Sequence, residues 1–77
     1  MNIFEKYKME SGKSYRDLSK ELGVHFSRVW NVIINPENTK IQSLLSVTNA
    51  IGMPEDLAMS EWRKSKIKKV MDMVDGI

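Results

Sequence analysis

The chain has 77 residues, no cysteine, one histidine and a formal net charge of +2, from 12 Lys and Arg against 10 Asp and Glu. That length suits one small domain, which buries roughly 60% of the surface its unfolded chain exposes. Without cysteine there is no disulfide framework and no thiolate metal site, as in proteins of a reducing compartment, and the lone His25 does not make a metal centre.

Glycine and proline divide the sequence at Gly12, Gly23, Pro36, Gly52, Pro54 and Gly76. The segments between show no sustained alternation of apolar and polar residues, so helices are expected and strands are not. The first segment runs from Asn2 to about Glu10. Asn2 and Glu5 have capping-box spacing, and Ile3, Phe4 and Tyr7 form an apolar face. The second, Ser14 to Leu22, has Ser14 as N-cap, Asp17 at the third helical position, and Leu18 and Leu22 facing inward. Gly23 follows where a tight helix end requires it.

The third segment runs from about Phe26 to Ile34, with Val29, Val32 and Ile33 as its buried stripe. Its N-cap is either His25 or, with a shifted start, Ser27. Asn35 is expected to end it in the left-handed conformation, and Pro36 forbids continuation. The fourth, Lys40 to Ile51, is the most apolar and is expected at the centre of the core. Thr39 and Gln42 match the Thr-x-x-Gln capping box.

The fifth starts near Pro54, with Glu55 and Asp56 in the first turn, where the helix dipole favours acids. Leu57, Trp62 and either Met59 or Ala58 are candidates to face inward. Residues 63–69 then read RKSKIKK, five positive charges and no negative one. Ile67, Val70, Met71 and Val74 recur at helical spacing, either continuing the fifth helix or forming a separate amphipathic one. The expected division is a domain over 1–62 and a basic extension over 63–77.

The run LSKELGVHFSRVWNVI, residues 18–33, joins two helices through a glycine turn, the helix-turn-helix pattern. Ser19 is small where the helices must cross closely, and Val24 fills the space between them. With Leu18, Ser19, Gly23, Val24, Val29 and Val32, followed by Leu44, Leu45, Ala50, Ile51 and Gly52, the chain resembles the Cro and repressor group of phage and bacterial regulators, the XRE-type helix-turn-helix proteins. The resemblance covers about residues 4–60. It departs at Asn35, where the family usually has glycine, at Lys13, where a leucine is usual, and at Lys8 and Ile33. The last two stand where the family often has an Arg–Glu ion pair. An apolar replacement of such a pair is often neutral in stability.

The resemblance implies an all-α, five-helix, lambda-repressor-like DNA-binding domain whose third helix enters the major groove. Phe26, Ser27, Arg28 and Asn31 are then the base-reading residues, with chemistry to suit: Asn for adenine, Arg for guanine, Phe for a thymine methyl. Lys13, Ser14, Tyr15, Arg16, His25, Trp30 and Lys40 are the candidates for the DNA backbone. Trp30 is also a candidate for the core. A homodimer on a palindromic operator is implied, with Trp62, Ile67, Val70 and Met71 as its interface. The tail stripe otherwise packs on its own core. RKSKIKK reads as a solvated helix face, a nucleic-acid stripe or a site for an acidic partner.

The expected function is a sequence-specific DNA-binding regulator of Cro-like type, repressing by occupying its operator. Control then comes from its concentration, since 77 residues hold no sensor domain. Two alternatives stand beside it: a helix-turn-helix protein-interaction module, antitoxin-like or polymerase-binding, and an excisionase-like architectural DNA-binding protein. No nucleophile–histidine–acid set, Gly-rich phosphate loop or HExxH is present. No enzyme activity, cofactor, metal or small-molecule ligand is therefore expected. No apolar run approaches the roughly 18 residues of a membrane span, and MNIFEKYK mixes acid and base too early for a signal peptide. The expected location is the cytoplasm of a bacterial or phage-infected cell.

Overall fold

The computed structural model describes the backbone of residues 2–75 and the side chains of residues 2–71. Five helices follow one another: α1 (Ile3–Ser11), α2 (Tyr15–Leu22), α3 (Phe26–Ile34), α4 (Ile41–Ala50) and α5 (Glu55–Asp75). A 3-10 turn, Pro36–Asn38, lies between α3 and α4, and the described residues contain no strand. The all-α, five-helix expectation is met.

The helix starts follow the local chemistry. In α1 the Asn2 side chain accepts from the Glu5 N–H at 2.8 Å, and the Glu5 carboxylate accepts from the Asn2 N–H at 3.3 Å. Ser14 and Asp17 make the same reciprocal pair at the start of α2, at 3.0 and 2.9 Å. Each box satisfies two N–H groups that a helix start leaves without partners. Gly23, at φ +67°, closes α2 in the left-handed region, and the Val24 N–H then returns to the Ser19 carbonyl at 3.1 Å.

Between α3 and α4 the structure departs from expectation. Asn35 has φ −125° and ψ 60°, not a left-handed conformation. The ring of Pro36 disfavours helical and left-handed geometry in the residue before it, and Pro36 itself opens the 3-10 turn. Thr39 does not cap α4. Lys40 takes that position without a side-chain cap. The Thr39 hydroxyl turns back instead and donates to the carbonyls of Asn35 and Pro36 at 3.2 and 2.9 Å.

The core is built from every helix: Phe4, Leu18, Val29, Val32, Ile33, Leu44, Val47, Ile51, Met53 and Ala58 are all buried. α4, expected at its centre, buries Leu44, Val47 and Thr48 and packs on α2, α3 and α5. α3 holds as central a place, burying Val29, Val32 and Ile33 and packing on α1, α2 and α4. Among the described residues no buried side-chain polar atom lacks a hydrogen-bond partner. Ile33 fills an apolar site, and its carbonyl accepts from the Asn2 amide at 2.8 Å, tying α1 to the end of α3. Lys8 lies 4.2 Å above the Tyr15 ring. The two positions where the family often has an ion pair are thus held by packing and a cation–π contact.

α5 runs 21 residues without a break. No glycine or proline occurs between 55 and 75 to stop it, so the division at 62/63 falls inside one helix. At 1.5 Å per residue it is about 31 Å long, and it draws the molecule out to 41 × 23 × 22 Å. Its first half packs on the core through Ala58, Leu57 and Trp62. Trp62 also donates its indole N–H to the Thr39 carbonyl at 2.9 Å. Trp62, expected at a dimer interface, is thus half-buried against its own domain. Val74 lies outside the residues whose side chains are described.

Candidate nucleic-acid interface

α2 and α3 form the helix-turn-helix unit, joined by Gly23, Val24 and His25. The Ser19 hydroxyl donates to the Val24 carbonyl across the turn, so a small polar residue both permits the close approach and fastens it. Val29, Val32 and Ile33 are wholly buried and fix the rotation of α3 about its axis. At about 100° per residue, Ser27 and Asn31 then lie opposite the buried stripe, with Phe26 and Trp30 on one flank and Arg28 on the other. All five are exposed.

Phe26 is 53% and Trp30 44% exposed, large values for aromatic side chains. Trp30 stands on the rim and not in the core. The Phe26 ring lies 4.6 Å from the His25 ring. His25 is the N-cap of α3: its Nδ1 accepts from the Ser27 N–H at 3.2 Å and lies 2.8 Å from the Ser27 hydroxyl. Accepting at Nδ1 requires that this nitrogen carry a lone pair. Asn31 differs from Ser27 in that its amide enters no hydrogen bond among the described residues.

Arg28 borders a cleft of about 230 Å³ whose far wall is α4, with Gln42, Ser43 and Ser46 presented there. Sequence reasoning places none of these three in the interface; Gln42 enters only as a partner of Thr39 in a capping box. The signal was the set of polar positions on the face of α4 opposite Leu44, Val47 and Thr48, but only the tertiary structure sets that face beside Arg28.

Two of the expected backbone contacts are already engaged within the fold. Lys13 places its ammonium 3.0 Å from the Glu21 carboxylate and 2.7 Å from the Ala50 carbonyl. It clamps the α1–α2 loop to the ends of α2 and α4. At the start of α2 the N–H groups of Tyr15 and Arg16 make no hydrogen bond among the described residues, while the Asp17 carboxylate accepts from the Ser14 N–H. That backbone hydrogen bond, followed by the one to the Ser14 side chain, keeps the Asp17 carboxyl below its ordinary pKa. The Tyr15 ring packs against the core. Burial, and then the charge of Glu5, pushes its hydroxyl above the ordinary value. Arg16 and Lys40 remain exposed.

The charge is unevenly divided. Residues 1–62 hold seven Lys and Arg against eight Asp and Glu, whereas residues 63–77 hold five against two. Among the described residues no cluster of His, Asp and Glu could hold a metal ion, and no helix is long and apolar enough to cross a membrane. No known protein family, curated protein or solved structure was found to match the chain.

Proposed function

We propose that the chain is a sequence-specific DNA-binding regulator that presents α3 to the major groove and represses by occupying its operator. The observation that carries this reading is the outward face of α3. Its buried side is pinned by three apolar residues, while Asn31, Arg28 and Phe26 stand free beside a capped N-terminus. Asn matches the N6/N7 edge of adenine, Arg the O6/N7 edge of guanine, and Phe a thymine methyl. A single short helix touches few bases, so the reading includes two copies on a palindrome, their half-sites about 34 Å apart.

Selection from a random DNA pool tests it. The expected result is a palindromic consensus, with Asn31→Ala losing about 1–3 kcal/mol on that site and its preference at one base pair. Equal losses on selected and random DNA would take Asn31 out of the reading, and an unenriched pool would refute it.

A second reading, a protein-interaction module, is favoured by the exposure of Phe26 and Trp30 together with the net negative charge of residues 1–62. Exposed aromatics are common at protein interfaces. Salt separates the two readings. DNA affinity falls with a log–log slope of about −0.9 per neutralised phosphate, whereas an apolar protein interface scarcely responds.

A further inference from the structure

The second half of α5 has a surface that neither the core nor the α3 reading uses. Ile67, Val70 and Met71 are each 59% exposed. They lie at i, i+3 and i+4 and so form one stripe. The side of α5 that packs on the domain is marked by Ala58, Trp62 and Ser65. At about 100° per residue the stripe lies on the opposite side of the helix, roughly 180° away, where nothing of the domain overhangs it. Cations flank it on both edges, Lys66 on one and Lys64 and Lys68 on the other, and no acidic residue occurs from 62 to 71.

We propose that this half of α5 docks on an anionic lipid surface, with Ile67, Val70 and Met71 in the interface and the flanking lysines reaching the headgroups. Charge complementarity and shape select this occupant. A second copy would set Arg63, Lys64, Lys66 and Lys68 against themselves, Lys69 being turned to Asn38. A nucleic acid backbone matches the cations but offers nothing apolar to the stripe. The stripe faces away from the cleft that Ser65, Lys68 and Lys69 form with α1 and the 3-10 turn, and a lipid interface accepts such an outward ridge with an apolar crest and cationic flanks. Clusters of four to eight basic residues on an amphipathic helix have the charge that anionic headgroups attract. The contact is peripheral, in keeping with the absence of a spanning helix among the described residues.

Flotation of the full chain with vesicles tests the assignment. Binding is expected to vesicles of equal phosphatidylglycerol and phosphatidylcholine, and not to phosphatidylcholine alone. Arg63 and Lys68 make no ion pair or hydrogen bond among the described residues, so Arg63→Gln/Lys68→Gln leaves the fold alone. It should weaken binding about 25-fold, near fivefold for each cation. Ile67→Gln/Met71→Gln should weaken it about 100-fold, near tenfold for each apolar side chain withdrawn, with helicity by circular dichroism unchanged. Asn31→Ala should bind vesicles normally, which keeps this result separate from the DNA reading.

Failure to float with the anionic vesicles would overturn the proposal. So would full binding by the Ile67/Met71 variant, which would mean adsorption by charge alone. A loss of vesicle binding in Asn31→Ala would move the contact to α3. A sedimentation dimer that Ile67→Gln/Met71→Gln dissociates would give the stripe to a second copy.

Discussion

Trp62 holds α5 on the domain in two ways, and Trp62→Phe separates its structural role from any role between subunits. The indole packs at the edge of the core, and its N–H donates to the Thr39 carbonyl at 2.9 Å. Phenylalanine keeps most of the apolar ring but has no donor. The part-buried Thr39 carbonyl then loses its partner, at a cost of about 1 kcal/mol. The smaller ring leaves about 40 Å² of apolar surface uncovered, worth about 1 kcal/mol more. The sum of about 2 kcal/mol corresponds to a fall in Tm of roughly 8–16 °C for a domain of this size. Urea unfolding followed by circular dichroism at two protein concentrations measures it. A loss of less than about 0.5 kcal/mol, the range of ordinary surface substitutions, would refute the reasoning. So would a wild-type stability that rises with protein concentration and a variant stability that does not, because Trp62 would then act between chains.

Other substitutions test single contacts. Lys13→Met should lower stability by about 1 kcal/mol through the lost hydrogen bond to the Ala50 carbonyl, the exposed pair with Glu21 adding little; its affinity for selected DNA, measured where the variant is folded, should be unchanged. Gly23→Ala should cost about 1 kcal/mol in thermal unfolding. Nothing lies within 4 Å of the added methyl, and the positive φ alone is responsible. Asp17→Asn should destabilise the domain at neutral pH and match wild type in acid. The folded-state pKa of Asp17 is depressed, so its stabilisation is present above the unfolded-state value and disappears as pH falls through the folded one. A constant difference between the two proteins across an acid titration would contradict that cause.

The uneven charge bears on function. Positive charge beyond pairwise contacts draws a protein toward polyanions. Here residues 1–62 are slightly negative, and the excess of cations lies in the single stretch 63–69 within α5, whose ends are acidic. A salt slope measured on DNA therefore reports how far α5 takes part, and residues 63–69 are the segment whose neutralisation should flatten it most.

Local chemistry was legible in the residues themselves. Asn2/Glu5 and Ser14/Asp17 cap helices with bonds that span three positions, and Gly23 ends α2 by a backbone preference it carries alone. The spacing of Val29, Val32 and Ile33 set the buried side of α3, and with it the outward position of Asn31. Where a residue had two local uses, the choice depended on distant partners. Thr39 has capping-box spacing, yet its hydroxyl serves the turn at Pro36–Asn38 and its carbonyl receives Trp62, 23 positions away. Lys13 is a loop cation in sequence, and it becomes a clamp only because folding brings the last turn of α4 within 2.7 Å. Trp62 and Met71 both look like apolar residues of one amphipathic tail. Nine positions apart, they lie on opposite sides of one helix, so the first is packed and the second stands in solvent. Periodicity encodes which face a residue lies on, and the three-dimensional path of the other helices supplies what that face meets.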